Sequence, residues 1–418
     1  MIKSITYFLA LFCAIIPNLA NSQTPNINEN KFGDLYNSQN LNYFYKSLNN
    51  KKPIHILWLG DSHTASDFIS GGVRDALQIE LGNAGRGFID GGIPYKGFSP
   101  QHVQITTEPE LKTLKSFPLS KSDGGPFGLG GYRAVQSDKE TYKIIFEHNY
   151  DNFAICSRAL LMKDNVVLKA AKPENDHITC AKMQFNSRSS AGADLVINGS
   201  KKFDIEIASI GVWNNHSGVV LSSFGVPGST LKDLAARDDI SIKNQIAVLP
   251  PSLIILAYGT NEGFSDSFNA DEYKNLLADQ IKRFKALAPH ADILLMTAPD
   301  ANKAALNRGE DVSCKALPPE LVAKYPQINH DELGAGYYIP PNLAKVRNAQ
   351  IEFAKSMNIA YWDWHNAMGG DCSAANLSLL ENREIAGDRV HFTKIGGTKI
   401  GQKLADDILS AIKYRLRH

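Results

Sequence analysis

Gly60-Asp61-Ser62-His63 closes the apolar run Ile54-His55-Ile56-Leu57-Trp58-Leu59. A serine in that setting is a nucleophile if a base takes its proton and a carboxylate holds the base. Asp388-Arg389-Val390-His391, near the carboxyl end, offers both. That spacing on a turn lets the carboxylate reach one imidazole nitrogen while the other faces the serine. Two further residues can donate to a developing oxyanion. Gly228 lies in a Val226-Pro227-Gly228-Ser229 turn and can present its N–H; Asn261 follows an apolar run over 252–257 and can present its side-chain amide. The N–H of Ser62 makes a third donor, and losing one such donor costs about 3–4 kcal/mol in the barrier. Asn261 and Gly228 are equally at home as turn residues, and serine caps helices well.

These residues need elements that bring them together. Residues 54–59 read as a buried strand and 64–81 as the helix after it. Ser62 then sits at the carboxyl end of a strand, the edge where open α/β sheets bind ligands. The same alternation resumes late in the chain. Strands are predicted at 219–221, 252–257, 292–296 and 359–362, and helices after Ser229-Thr230 and over 271–287, 343–357 and 394–415. Strands alternating with helices give a parallel sheet with right-handed crossovers. If the strands are parallel, Asp388 and His391 reach the same edge as Ser62. The stretch 299–341 is long, irregular and proline-bearing, as functional loops often are.

Between the halves the character changes. Short β-like runs at 142–146, 153–161, 166–168, 194–197 and 203–207 are separated by turn signals such as Gly124-Gly125-Pro126 and Asn198-Gly199. That pattern predicts an antiparallel sandwich. The expected organisation is a first α/β part over 23–97, an inserted all-β sandwich over 98–217 and a second α/β part over 218–418.

Residues 1–22 read as a secretory signal, with Lys3, an apolar core over 5–16 and a small-residue cleavage site at Ala20-Asn21-Ser22. An uncleaved anchor is the alternative, although the apolar segment is short for a membrane span. The expected location is outside the cytoplasm, in the periplasm. Four cysteines follow the signal, Cys156, Cys180, Cys314 and Cys372, and four allow three pairings. Each half of the set lies in one expected domain, which favours Cys156–Cys180 and Cys314–Cys372. Each bond would contribute about 3–4 kcal/mol on the loop-entropy model. A formal charge of +1 with scattered basic residues gives no reason to expect a nucleic-acid partner. No C-x-x-C or His-rich cluster points to a metal, and neither a metal nor a cofactor is expected.

The order Gly-Asp-Ser, Gly, Gly-x-Asn, Asp-x-x-His resembles that of the SGNH (GDSL-type) hydrolases. Ser62, Gly228, Asn261 and His391 match the four residues behind the name, and Asp388 matches the triad acid. Glu262 stands where the family usually has Asp. The resemblance covers 54–82 and 218–413. It implies a flavodoxin-like parallel sheet flanked by helices, catalysis by Ser62, Asp388 and His391, and an oxyanion hole of Ser62, Gly228 and Asn261. Gly60-Asp61-Ser62-His63-Thr64-Ala65-Ser66-Asp67-Phe68 and Gly85-Arg86-Gly87-Phe88 are similar to the peptidoglycan O-acetylesterases of Gram-negative bacteria. That likeness implies a carbohydrate-binding module of the CBM35 type as the insert. It also implies removal of acetyl from the C6 hydroxyl of N-acetylmuramic acid, with O-acetylated peptidoglycan or a related polysaccharide as partner. A polysaccharide O-acetyltransferase, an acetylesterase on another polysaccharide and an inactive carbohydrate-binding protein are the competing expectations.

Overall fold

The run from Ile54 to Gly60 is buried along its whole length, as expected of a strand covered on both faces. In the computed structural model it forms the centre of a seven-stranded sheet. The structure describes residues 31–137, 140–158, 160–164, 167–171, 176–185, 192–198, 204–305, 312–328 and 330–418. The expected signal over 1–22 lies outside them. The sheet comprises β1 (Leu35–Tyr36), β2 (Pro53–Gly60), β3 (Asn83–Gly85), β4 (Gly218–Gly225), β5 (Leu253–Ala257), β6 (Asp292–Met296) and β7 (Ala360–Trp362). Its order is β1-β7-β6-β5-β2-β4-β3, and only the β1 edge is antiparallel.

Setting aside the short edges β1 and β3, the order is the flavodoxin-like 2-1-3-4-5. The chain turns from one half of the sheet to the other between β2 and β5, the point where such sheets form a crevice. Alternation along β2 explains the two cores. Leu57 and Leu59 join Phe224, Leu256 and Phe284 on one face, while Ile56 and Trp58 join Val73, Leu404 and Ile408 on the other.

The helix expected over 64–81 is two helices, Ser62–Ala65 and Phe68–Leu81. Asp67 breaks it by adopting a left-handed conformation (φ 53°). The second helix packs against the terminal helix Lys394–Arg417. A Cβ on Gly401 would lie 2.3 Å from the Ile69 carbonyl oxygen, so the two backbones touch there. That crossing draws the end of the chain toward the helices that follow Ser62.

Besides the antiparallel pair Leu160–Asp164 and Val167–Ala171, the insert holds two larger antiparallel sheets. One contains Lys112–Lys115, Tyr132–Gln136, Asn152–Ser157, Thr179–Gln184 and Ile205–Trp213, with Gly87–Asp90 paired to the last. The other contains Val103–Glu108, Thr141–Phe146 and Ala193–Asn198. Ile144, Phe146, Ile155, Ile207 and Ile210 are buried in one core contributed by both sheets. Gly87–Asp90 means that the chain enters this β-rich region before residue 98. Disulfides join Cys156 to Cys180 and Cys314 to Cys372, as favoured from the sequence.

The described residues of the stretch 299–341 carry regular elements that its sequence did not suggest. These are a small sheet of Lys303–Ala304, Cys314–Ala316 and Tyr337–Ile339, and a helix, Pro319–Lys324. Among the described residues no helix is long and apolar enough to cross a membrane.

Candidate active site

Ser62 opens its one-turn helix directly after β2. Asp61 caps that turn, its carboxylate accepting the His63 N–H at 3.0 Å. Across the crevice, Asp388 to His391 form a loop just before the terminal helix. His391 Nε2 lies 2.9 Å from Ser62 Oγ, and His391 Nδ1 lies 2.7 Å from Asp388 Oδ2. The other Asp388 oxygen accepts the N–H groups of Val390 and His391, both at 3.0 Å. One carboxylate thus shapes the turn and orients the ring.

Burial would raise the Asp388 carboxyl. The hydrogen bonds from the His391 ring and from the two N–H groups outweigh burial and hold it down at about 2. The side chains of His391 and Asp388 are 47% and 49% exposed, so the cleft is open to a bulky substrate and to water.

His63, beside the serine, turns away from the cleft and is buried. Its Nδ1 lies 3.1 Å from Asp61 Oδ1 and its Nε2 lies 2.9 Å from the Val390 carbonyl. A carbonyl only accepts, so Nε2 donates to Val390, while Nδ1 faces the carboxylate oxygen that also accepts the His63 N–H. Burial opposes a charge on this ring, but the negative charge and hydrogen bond of Asp61, with the Val390 carbonyl, outweigh it and raise the ring's pKa. Trp364, whose ring centroid is 5.1 Å away, covers the ring from another side.

Asn261 lies in the turn of helix Thr260–Phe264 that follows β5 and donates its side-chain N–H to the Ser229 carbonyl at 2.8 Å. Gly228 occupies the third position of a turn closed by Ser229 N–H donating to the Val226 carbonyl at 3.0 Å. Its φ of 81° is the value that position requires. Ser62, Gly228 and Asn261 therefore stand on the loops after β2, β4 and β5, neighbours at one sheet edge. Glu262 has a structural task. Its Oε1 accepts the Leu231 N–H at 2.8 Å, and burial pushes its carboxyl up to about 7.

Several contacts were not foreseen. Asp67 accepts from Arg74 at 2.6 Å, from Arg86 at 2.7 Å, from Ser223 Oγ at 3.0 Å and from Gln101 N–H at 2.9 Å. It ties the serine's helices to β4 and to the start of the insert. The signal was present in the sequence: Asp67 and Arg86 lie in the two stretches that resemble the esterases. Tyr337, from the long stretch, lies under Arg389, whose guanidinium carbon is 3.6 Å from the ring centroid, and so supports the histidine loop. Phe117, from the insert, abuts Gly228: a Cβ there would lie 3.1 Å from its ring. Trp213, Tyr132, Trp362 and Trp364 are buried packing residues.

The fold and this edge define a doubly wound α/β protein with a serine–histidine–aspartate constellation at its topological switch point. Its fold is shared with a solved structure of a peptidoglycan O-acetylesterase, at a TM-score of 0.70 and 23% identity, over 90% of this chain and 96% of that one. In this fold the chain resembles the SGNH hydrolases. Slighter likenesses are to a GDSL-like lipase from Bacteroides thetaiotaomicron (TM-score 0.27, 17% identity, 47% of this chain and 75% of that one) and a carbohydrate esterase family 3 protein from Talaromyces cellulolyticus (TM-score 0.27, 15% identity, 45% of this chain and 70% of that one). No family profile and no curated protein matches the sequence.

Proposed function

We propose that this protein is an exported serine esterase that removes O-acetyl groups from the C6 hydroxyl of N-acetylmuramic acid in peptidoglycan. The observation that carries the reading is the 2.9 Å contact from Ser62 Oγ to His391 Nε2, with Asp388 on the other ring nitrogen. His391 takes the Ser62 proton as Oγ attacks the acetyl carbonyl. Ser62 N–H, Gly228 N–H and the Asn261 amide hold the oxyanion. The C–O bond to the sugar breaks, and the sugar oxygen leaves with the proton from His391. Water, activated by His391, then attacks the acetyl-enzyme, releasing acetate and restoring Ser62.

The exposure of His391 lets water reach the acetyl-enzyme, as hydrolysis requires. The disulfides suit an oxidising compartment. The inserted sandwich is read as a carbohydrate-binding module of the CBM35 type that also brings Phe117 to the cleft. The decisive measurement is acetate released from O-acetylated peptidoglycan by wild type and by Ser62→Ala. Release by wild type alone is expected; no release, or equal release by the variant, sinks the reading. A mass spectrum with chito-oligosaccharide acceptors would expose acetyl transfer instead.

A further inference from the structure

Away from the serine, four residues from three segments distant in sequence converge where the insert meets the helix Phe68–Leu81. Asp75 comes from that helix, His102 precedes the strand Val103–Glu108, and Glu147 and His148 follow the strand Thr141–Phe146. His102 Nε2 lies 3.0 Å from Asp75 Oδ1, and His102 Nδ1 lies 2.7 Å from Glu147 Oε2. The two histidine rings have centroids 6.0 Å apart. One ligand-capable atom each from His102, Glu147 and His148 falls within a 4.8 Å span.

We propose that His102, Glu147 and His148 bind a divalent transition-metal ion of the zinc type, with Asp75 orienting the ligand His102. Two imidazoles and a carboxylate are a donor set that suits such an ion. Bond lengths of about 2.1 Å put tetrahedral ligand atoms roughly 3.4 Å apart. Glu147 and His148 are exposed, so their side chains have space to close on such an ion. Asp75 supplies the second feature of such sites: a carboxylate on the far ring nitrogen fixes the tautomer and aims the other nitrogen at the metal. Beside the cluster lies a cavity of about 240 Å³, lined by Asp75, His102, His148, Arg74 and Tyr150, which leaves room for water as a fourth ligand.

Bound metal would fasten the insert to the helix that follows the serine.

Titration of the full chain with zinc alone, by calorimetry, tests the proposal. Wild type is expected to bind one equivalent. His102→Ala and Glu147→Gln should each abolish that event, and Asp75→Asn should weaken it about 10–100-fold. Hydrolysis of a small acetyl ester by all three variants should match wild type and certify their folding. Absence of binding by wild type, or the same stoichiometry in His102→Ala, overturns the proposal. Neither result bears on acetate release at Ser62.

Discussion

The Nε2 of His63 lies 2.9 Å from the carbonyl oxygen of Val390, one residue before His391. Ser62 meets His391 and His63 meets Val390, so two neighbours on the serine turn grip two neighbours on the histidine loop. His63→Gln is expected to loosen His391 without touching substrate. A hydrogen bond from a charged donor is worth about 1.5–3 kcal/mol, so kcat should fall roughly 10–150-fold with KM unchanged. Nitrogen-15 spectra of the imidazole rings should show His63 doubly protonated near neutral pH. A neutral His63, or a variant with full kcat, would refute the clamp.

Asp388 sets the acid behaviour of the site by staying charged. Its folded pKa of about 2 lies below the ordinary 3.8, so its contribution to stability is complete above about 3.8 and is lost as pH falls through 2. Activity lost in mild acid therefore does not come from protonation of Asp388. Asp388→Asn should lower kcat by about two to four orders of magnitude at every pH. A profile whose acid limb tracks a carboxylate near 4 would contradict this assignment.

Asp67 is the counter-charge for two arginines that are each buried to within 2% of full enclosure. Asp67→Asn leaves them uncompensated and should cost about 3–5 kcal/mol in denaturant unfolding. The Asp67 carboxyl is held well below its ordinary pKa: burial opposes this, and Arg74 and Arg86 outweigh it. The stabilisation is therefore present above pH about 3.8 and declines only in strong acid. Unchanged unfolding of the variant at neutral pH would count against this reading.

Asp90 behaves in the opposite sense. Burial raises its carboxyl to about 8, against the pull of Arg237, and its Oδ1 has no hydrogen-bond partner among the described residues. A folded pKa above the ordinary 3.8 stabilises the fold at low pH, and that contribution is lost as pH rises toward about 8. Asp90→Asn should remove this slope, so its melting temperature should gain on wild type between about pH 5 and pH 8.5. Parallel melting curves across that range would disprove it.

The strands around Ser62 were legible because their residues are mostly apolar on both faces, with the buried His55 and Ser222 bonded to each other, as expected of strands covered on both sides. The insert was legible through its turn residues and its lack of helical periodicity. The helix break at Asp67 was not, since aspartate is common inside helical runs. Its left-handed backbone is sustained by two arginines, and Arg86 lies well outside the local pattern.

What the sequence by itself determined is the local chemistry: a serine at a strand end, an aspartate three residues before a histidine, and glycine and asparagine at later strand ends. These follow from composition and short spacing. What only the tertiary structure decided is the partnership between them. His63 is held between Asp61 and a carbonyl more than three hundred residues away in the chain. Tyr337, Phe117 and the Asp75–His102–Glu147–His148 cluster likewise exist only where separate elements close on one another. Hydrogen bonds and charges act over a few ångströms of space, and no spacing along the chain records those distances.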